Sequence, residues 1–137
     1  MRHFYLFDID KKSININKTH PYSLFKLFYE LYNGNNKNYD YYKKIYGSII
    51  KPIKRKKLNN NLYDIFKTNL FYTKFMNNHY YNDYLENEET KVVINNSYIK
   101  VDTNNIKPTF FGVLNKYSNL FVCDFDNNDY FYLENVD

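Results

Sequence analysis

The chain reads as an α+β fold, a mainly antiparallel sheet of about five strands with three to four helices packed against it. Three observations lead there. The opening run at residues 3–9 is apolar almost throughout, as a central strand covered on both faces would be. Between Pro21 and Phe66, apolar residues recur at helical spacing. Beyond Lys91 the chain turns to short β-branched and aromatic runs separated by Asn and Asp, as hairpins require. With 137 residues and no internal repeat or linker, one domain over residues 1–137 is expected.

After the first strand comes a polar connection at residues 10–19, whose only apolar residues are Ile14 and Ile16. A helix starts near Pro21, whose fixed φ suits a first helical position, with Thr19 or His20 as cap. Leu24, Phe25, Leu27, Phe28 and Leu31 give it a broad apolar face, and Asn33-Gly34 ends it through a left-handed residue. Asn38 caps a second helix that runs to about Tyr46 and stops at Gly47. Its apolar face is Tyr41, Tyr42, Ile45 and Tyr46. Residues 48–53 are extended, and Pro52 places them at an edge or in a loop. Leu58, Leu62, Ile65 and Phe66 then restore helical spacing. Residues 70–76 fit helix or strand equally, and residues 77–89 read as a polar loop with an acidic end. Residues 91–94 and 98–101 pair through Asn95-Asn96, which tolerates the left-handed backbone of a tight turn.

The densest apolar matter follows. Ile106, Phe110, Val113, Leu114 and Tyr117 step by three and four along one helix face. Asn105 can cap it, Pro108 fits its first turn, and Gly112 inside it costs about 1 kcal/mol relative to Ala. Residues 120–125 form a strand, Asp126, Asn127, Asn128 and Asp129 turn, and residues 130–133 return as its partner. Phe110 and Leu114 are expected to pack on this C-terminal hairpin.

Composition narrows the function. Aromatic residues make up 21% of the chain, with more tyrosine than one small core can bury, and Tyr is favoured at protein interfaces. An AT-rich coding sequence accounts for the Asn-rich patches. Cys123 is the sole cysteine and lies in an apolar strand, so a buried inert thiol is expected, and an internal disulfide or a cysteine-rich metal site is excluded. No apolar run approaches the ~20 residues of a membrane helix, and no signal-like segment follows Met1, so a soluble cytoplasmic protein is expected.

A net charge of +4 is mild, so placement decides more than the total. Lys51, Lys54, Arg55, Lys56 and Lys57 form the strongest local signal. They suit a nucleic-acid-binding module, gripping phosphates while exposed tyrosines stack on bases. The reading adopted is a solvated start of a helix. Asp124, Asp126 and Asp129 resemble oxygen ligands for a hard cation, yet the same residues make a hairpin turn, and a calcium loop's glycine and final glutamate are missing. No metal is expected. His3, His20 and His79 share no ligand spacing, and His3 is read as a satisfied, partly buried imidazole. Glu86, Glu88 and Glu89 read as a solvated loop. With no nucleophile beside a base and no glycine-rich phosphate loop, the chain is read as a binder that is not an enzyme and uses no cofactor.

Arg2-His3-Phe4-Tyr5, Thr109-Phe110-Phe111-Gly112-Val113-Leu114 and Asp124-Phe125, with a Tyr-rich helix running into Lys51-Pro52-Ile53, give the chain a family resemblance. It resembles the sporulation inhibitor of replication protein SirA family of spore-forming Gram-positive bacteria. The resemblance implies an α+β fold and an inhibitor of chromosomal replication initiation, linked to sporulation. It implies a partner, the N-terminal domain of the initiator DnaA, covered by occupancy without direct nucleic acid, and a monomeric inhibitor. The partner face it implies uses Ile14, Ile16, Asn17 and Lys18 after the first strand, Tyr41, Lys44 and Ile45 on the second helix, and Asn135 near the C-terminus. The family tends to carry aromatics in the first connection, where this chain has Ser13, Asn17 and Lys18 around two isoleucines.

Overall fold

Alternation along the first strand, β1 (Arg2–Asp8), sends Phe4 and Leu6 to one face of a sheet and Tyr5 and Phe7 to the other. The computed structural model describes residues 1–13, 20–34 and 37–135. The remaining strands are β2 (Tyr72–Phe75), β3 (Asn78–Asp83), β4 (Glu88–Ile94), β5 (Ile99–Thr103), β6 (Leu120–Asp124) and β7 (Asp129–Tyr132). All pair antiparallel, in the order β2-β3-β4-β5-β1-β6-β7. β1 thus sits inside the sheet, with Leu6 opposite Ile99 on one side and Val122 on the other.

Each sheet face carries its own core. On the first, Phe4, Leu6, Val92, Ile94, Ile99, Val101, Leu120 and Val122 meet helix α3 (Arg55–Phe66) through Leu58, Leu62 and Phe66. On the second, Phe7, Ile9, Phe121 and Cys123 meet α1 (Pro21–Asn33) through Leu24, Phe25, Leu27 and Phe28. Helix α2 (Tyr39–Ile49) packs on α1 and joins that second core with Tyr42, Ile45, Tyr46 and Ile49. The architecture is α+β, as the sequence predicts, with helices on both faces. Each buried Phe or Leu contributes about 1.5–3 kcal/mol.

The helix signals hold at α1. Pro21 is its first residue, and Gly34 closes it at φ 70, donating its amide to the Glu30 carbonyl. Cys123 is fully buried, and burial pushes its thiol well above the usual range. Gly47 does not stop α2, which continues to Ile49. No backbone requirement forces a stop there, because Gly47 keeps a negative φ. Among the described residues the left-handed non-glycine positions are Met76, Asn87 and Asn128, so the Asn95-Asn96 turn closes without one.

Two strands exceed the expected five. Residues 70–76 resolve as β2, and residues 77–89 contain β3. β3 escapes a hydrophobic pattern because its inward positions are His79, Tyr81 and Asp83. Asp83 Oδ1 accepts the amides of Leu85 and Glu86 and shapes the next turn. His79 Nε2 donates to Asn59 Oδ1 at 2.7 Å, and its Nδ1 accepts from the Tyr72 hydroxyl at 2.7 Å. Asn59 then donates to Asn77 Oδ1 at 2.9 Å.

The helix expected at residues 106–117 is shorter. Only α4 (Phe111–Leu114) is α-helical, flanked by tight turns from Pro108 to Tyr117. Ile106 is largely exposed, ahead of the helix. Glu88, expected in a solvated loop, is buried and accepts from the Thr109 amide and hydroxyl and from Thr90. Leu114 is fully buried, as expected. Phe110 is also buried, but it meets Phe66, Tyr72, His79 and Tyr81, away from the C-terminal hairpin. Its neighbour Phe111 faces Phe4 and Phe131 instead. Ile65, placed on the inner face of α3, is half exposed.

Two stability predictions follow from this packing. Leu114→Ala leaves a cavity in the first core and is expected to cost about 2–5 kcal/mol in urea denaturation. A loss of a few tenths would mean that the site collapses around the change. For His79, burial and the nearby Lys74 ammonium lower the pKa to about 4, from 6.5. The unfolded chain therefore binds a proton that the folded one does not between those values, and stability falls as pH drops from 6.5 towards 4. Over that window the loss approaches roughly 3 kcal/mol. His79→Gln should flatten this part of the stability–pH curve relative to wild type; parallel curves would contradict a neutral buried His79.

Candidate protein-binding face

Helix α2 has a split character that its sequence encodes. Tyr42, Ile45, Tyr46 and Ile49, at three- and four-residue steps, turn towards the second core. Asp40, Tyr41, Lys44 and Ser48 lie exposed. Tyr41 keeps 63% of its surface in solvent, and its ring lies 5.8 Å from that of neighbouring Tyr42. Among the residues the resemblance implies, Tyr41 and Lys44 share this outward side. Ile45 is half-buried and spends most of its area on the core. Ile14, Ile16, Asn17 and Lys18 lie outside the described residues, as does the side chain of Asn135.

Backbone pairing brings the C-terminal end of α2 and the final turn at residues 133–135 to the end of the sheet where the chain leaves β1. Asp10 donates its amide to the Ile49 carbonyl at 2.7 Å, and Lys51 donates to the Asp8 carbonyl at 2.7 Å. Ile9 bridges Ile50 between them. The C-terminal end of α2 is thereby fixed beside the point where the chain leaves β1. Phe7 pairs with Phe121, which pairs with Tyr132, so β7 delivers the final turn Leu133–Asn135 to the same end. Buried Asp8 anchors the junction by accepting from Ser118 Oγ at 2.7 Å, and desolvation raises its pKa.

The opening Arg-His proves architectural. Arg2 Nε donates to Asp124 Oδ2 at 2.9 Å and Nη2 to Asp129 Oδ2 at 3.0 Å, clamping both ends of the β6–β7 turn. Its guanidinium also lies 4.6 Å from the centre of the Phe4 ring. Burial by itself would raise Asp124, but hydrogen bonds from Asn127 and Arg2 outweigh it and hold the carboxyl below the usual range. Two of the three acids weighed as cation ligands are thus engaged by a cation of the chain itself. Among the described residues no group of three or more His, Cys, Asp or Glu could hold a metal ion. His3 pairs with Asp102 across β1 and β5 and is partly exposed.

A family model for the sporulation inhibitor of replication protein SirA matches residues 2–137. The chain belongs to the SirA family. Comparison with curated proteins gives no match. The SirA description is one of inhibiting replication in connection with sporulation. No helix among the described residues is long and apolar enough to cross a membrane.

The basic run of this SirA-family chain lies elsewhere. Lys54, Arg55, Lys56 and Lys57 are exposed at the start of α3, which packs on the opposite sheet face from α2. None of the four makes an ion pair among the described residues. Sequence reasoning did not single out Tyr39, Lys43 or Tyr98, which gather with Tyr46 around an aromatic groove beneath α2. Tyr39, Lys43 and Tyr46 share one side of α2 at steps of four and three, and only the fold brings Tyr98 to them, so helical spacing alone does not mark the groove.

Proposed function

We propose that this chain restrains the initiation of chromosome replication by binding the N-terminal domain of the initiator DnaA. It acts by occupancy, as a single-domain cytoplasmic monomer, with no catalytic step and no cofactor, metal or DNA in the complex. A contact surface on the initiator is covered, and assembly at the origin stops. The observation that carries the reading is the SirA match along residues 2–137. The outward side of α2 supports it, because Tyr41 and Lys44 are free to meet a partner there.

The proposed face joins that side of α2 to the connection carrying Ile14, Ile16, Asn17 and Lys18 and to the C-terminal end at Asn135. A stable complex of standard size buries roughly 1,200–2,000 Å² in total, more than one helix face supplies. The end of β1, the C-terminal end of α2 and the turn at residues 133–135 lie at one end of the sheet, which supports a face drawn from more than one segment. Ile45 supports the face from beneath.

A second reading has one observation in its favour. The first turn of α3 contains no acid, and its exposed cations could neutralise phosphates. The two readings use opposite faces of the sheet, so they separate experimentally. Calorimetric titration against the isolated initiator domain should show a one-to-one complex. Tyr41→Ala and Ile16→Asp should each weaken it by about thirtyfold, the loss of a contact worth ~2 kcal/mol. Neutralising Lys54, Arg55 and Lys56 together should leave the affinity and its salt dependence unchanged. No complex with the wild-type chain would end the functional assignment. Loss of binding in the triple variant, with a shallower salt slope, would move the function to nucleic acid.

A further inference from the structure

The inner side of α2 roofs a groove of 370 Å³ whose walls are almost wholly aromatic. Its floor is Phe7 and Phe28, both buried and stacked with ring centres 4.1 Å apart. Tyr46 stands edge-on to both rings, at 6.2 and 5.7 Å. Tyr98 closes the sheet side, 5.7 Å from Tyr5 and 6.2 Å from Phe7. These rings offer faces and edges in the offset and perpendicular arrangements that a further aromatic ring favours.

Charge settles what kind of ring fits. Among the described residues, Lys43 is the one charged side chain lining the groove, and no acid lines it. It is exposed and makes no ion pair among the described residues. Burial raises Tyr5 to about 12 and Tyr46 above its usual value, so both phenols stay neutral and cannot serve as its counter-ion. The volume is towards the lower end of the roughly 300–1,000 Å³ found for small-molecule sites, enough for one or two fused rings.

We infer that this groove binds a small planar aromatic anion, its ring held among Phe7, Phe28, Tyr46 and Tyr98 and its acidic group paired with Lys43. Such a ligand touches the inner side of α2, whereas Tyr41 and Lys44 point outward. The inference therefore stands apart from the initiator reading.

The chain has no tryptophan, so a naphthalene probe can be excited without exciting the protein. Fluorescence titration with 2-naphthalenesulfonate should show saturable one-to-one binding, with aromatic NMR shifts at Tyr46 and Tyr98. Lys43→Gln changes an exposed residue and should weaken the sulfonate by about tenfold, one charge-assisted contact. The same substitution should leave neutral 2-naphthalenemethanol unaffected. Ser97→Phe, which adds a bulky ring to the groove lining, should abolish both. Absence of saturable sulfonate binding at millimolar probe would overturn the inference. So would equal affinity of wild type and Lys43→Gln, or NMR shifts confined to residues outside the groove.

Discussion

One strand serves two cores at once, and the rest of the molecule is arranged around that constraint. β1 is paired on both edges, so its backbone polar groups are satisfied between β5 and β6. Its side chains are then committed by parity: Phe4 and Leu6 to the α3 side, Phe7 and Ile9 to the α1 side. A one-residue slip would exchange the two sets and bring the buried Asp8 into register with the wrong core. The ends of β1 are fixed just as tightly. Arg2 clamps the β6–β7 turn, and Asp8 to Asp10 bind the C-terminal end of α2. That second anchorage holds the C-terminal end of α2 against the sheet.

Legibility in the sequence tracked how far a residue's burial is expressed by its own apolarity. β1, α1 and the β6–β7 hairpin were readable because nearly every inward position is apolar and turn residues stand at their ends. β3 was not, since His79 is buried through hydrogen bonds with Tyr72 and Asn59, and Asp83 by accepting the amides of the turn that follows it. Glu88 was misread because its buried carboxylate is satisfied by Thr90, two residues along the same strand, and by Thr109, far along the chain. At Phe110 and Phe111 helical spacing assumed one buried face. A single turn wedged between α3 and β7 buries both neighbours, in different directions.

The candidate face was legible only through the family resemblance. Nothing in the spacing of Tyr41, Lys44 and Ile45 separates a partner contact from a solvated helix face, and the structure itself divides them, with Ile45 turned inward. The abundance of tyrosine also resolves into distinct duties. Tyr72 and Tyr81 belong to the first core, Tyr5, Tyr46 and Tyr98 frame the groove, and Tyr41 faces solvent. One composition therefore serves packing, a candidate ligand site and a candidate interface, and only position tells them apart.

The most direct test of the account is hydrogen exchange, read by mass spectrometry, on the chain alone and in complex with the initiator's N-terminal domain. The account predicts slowed exchange in peptides covering residues 10–20, 37–50 and 130–137, with α3 unchanged. Protection confined to residues 51–66, with none along α2, would contradict it.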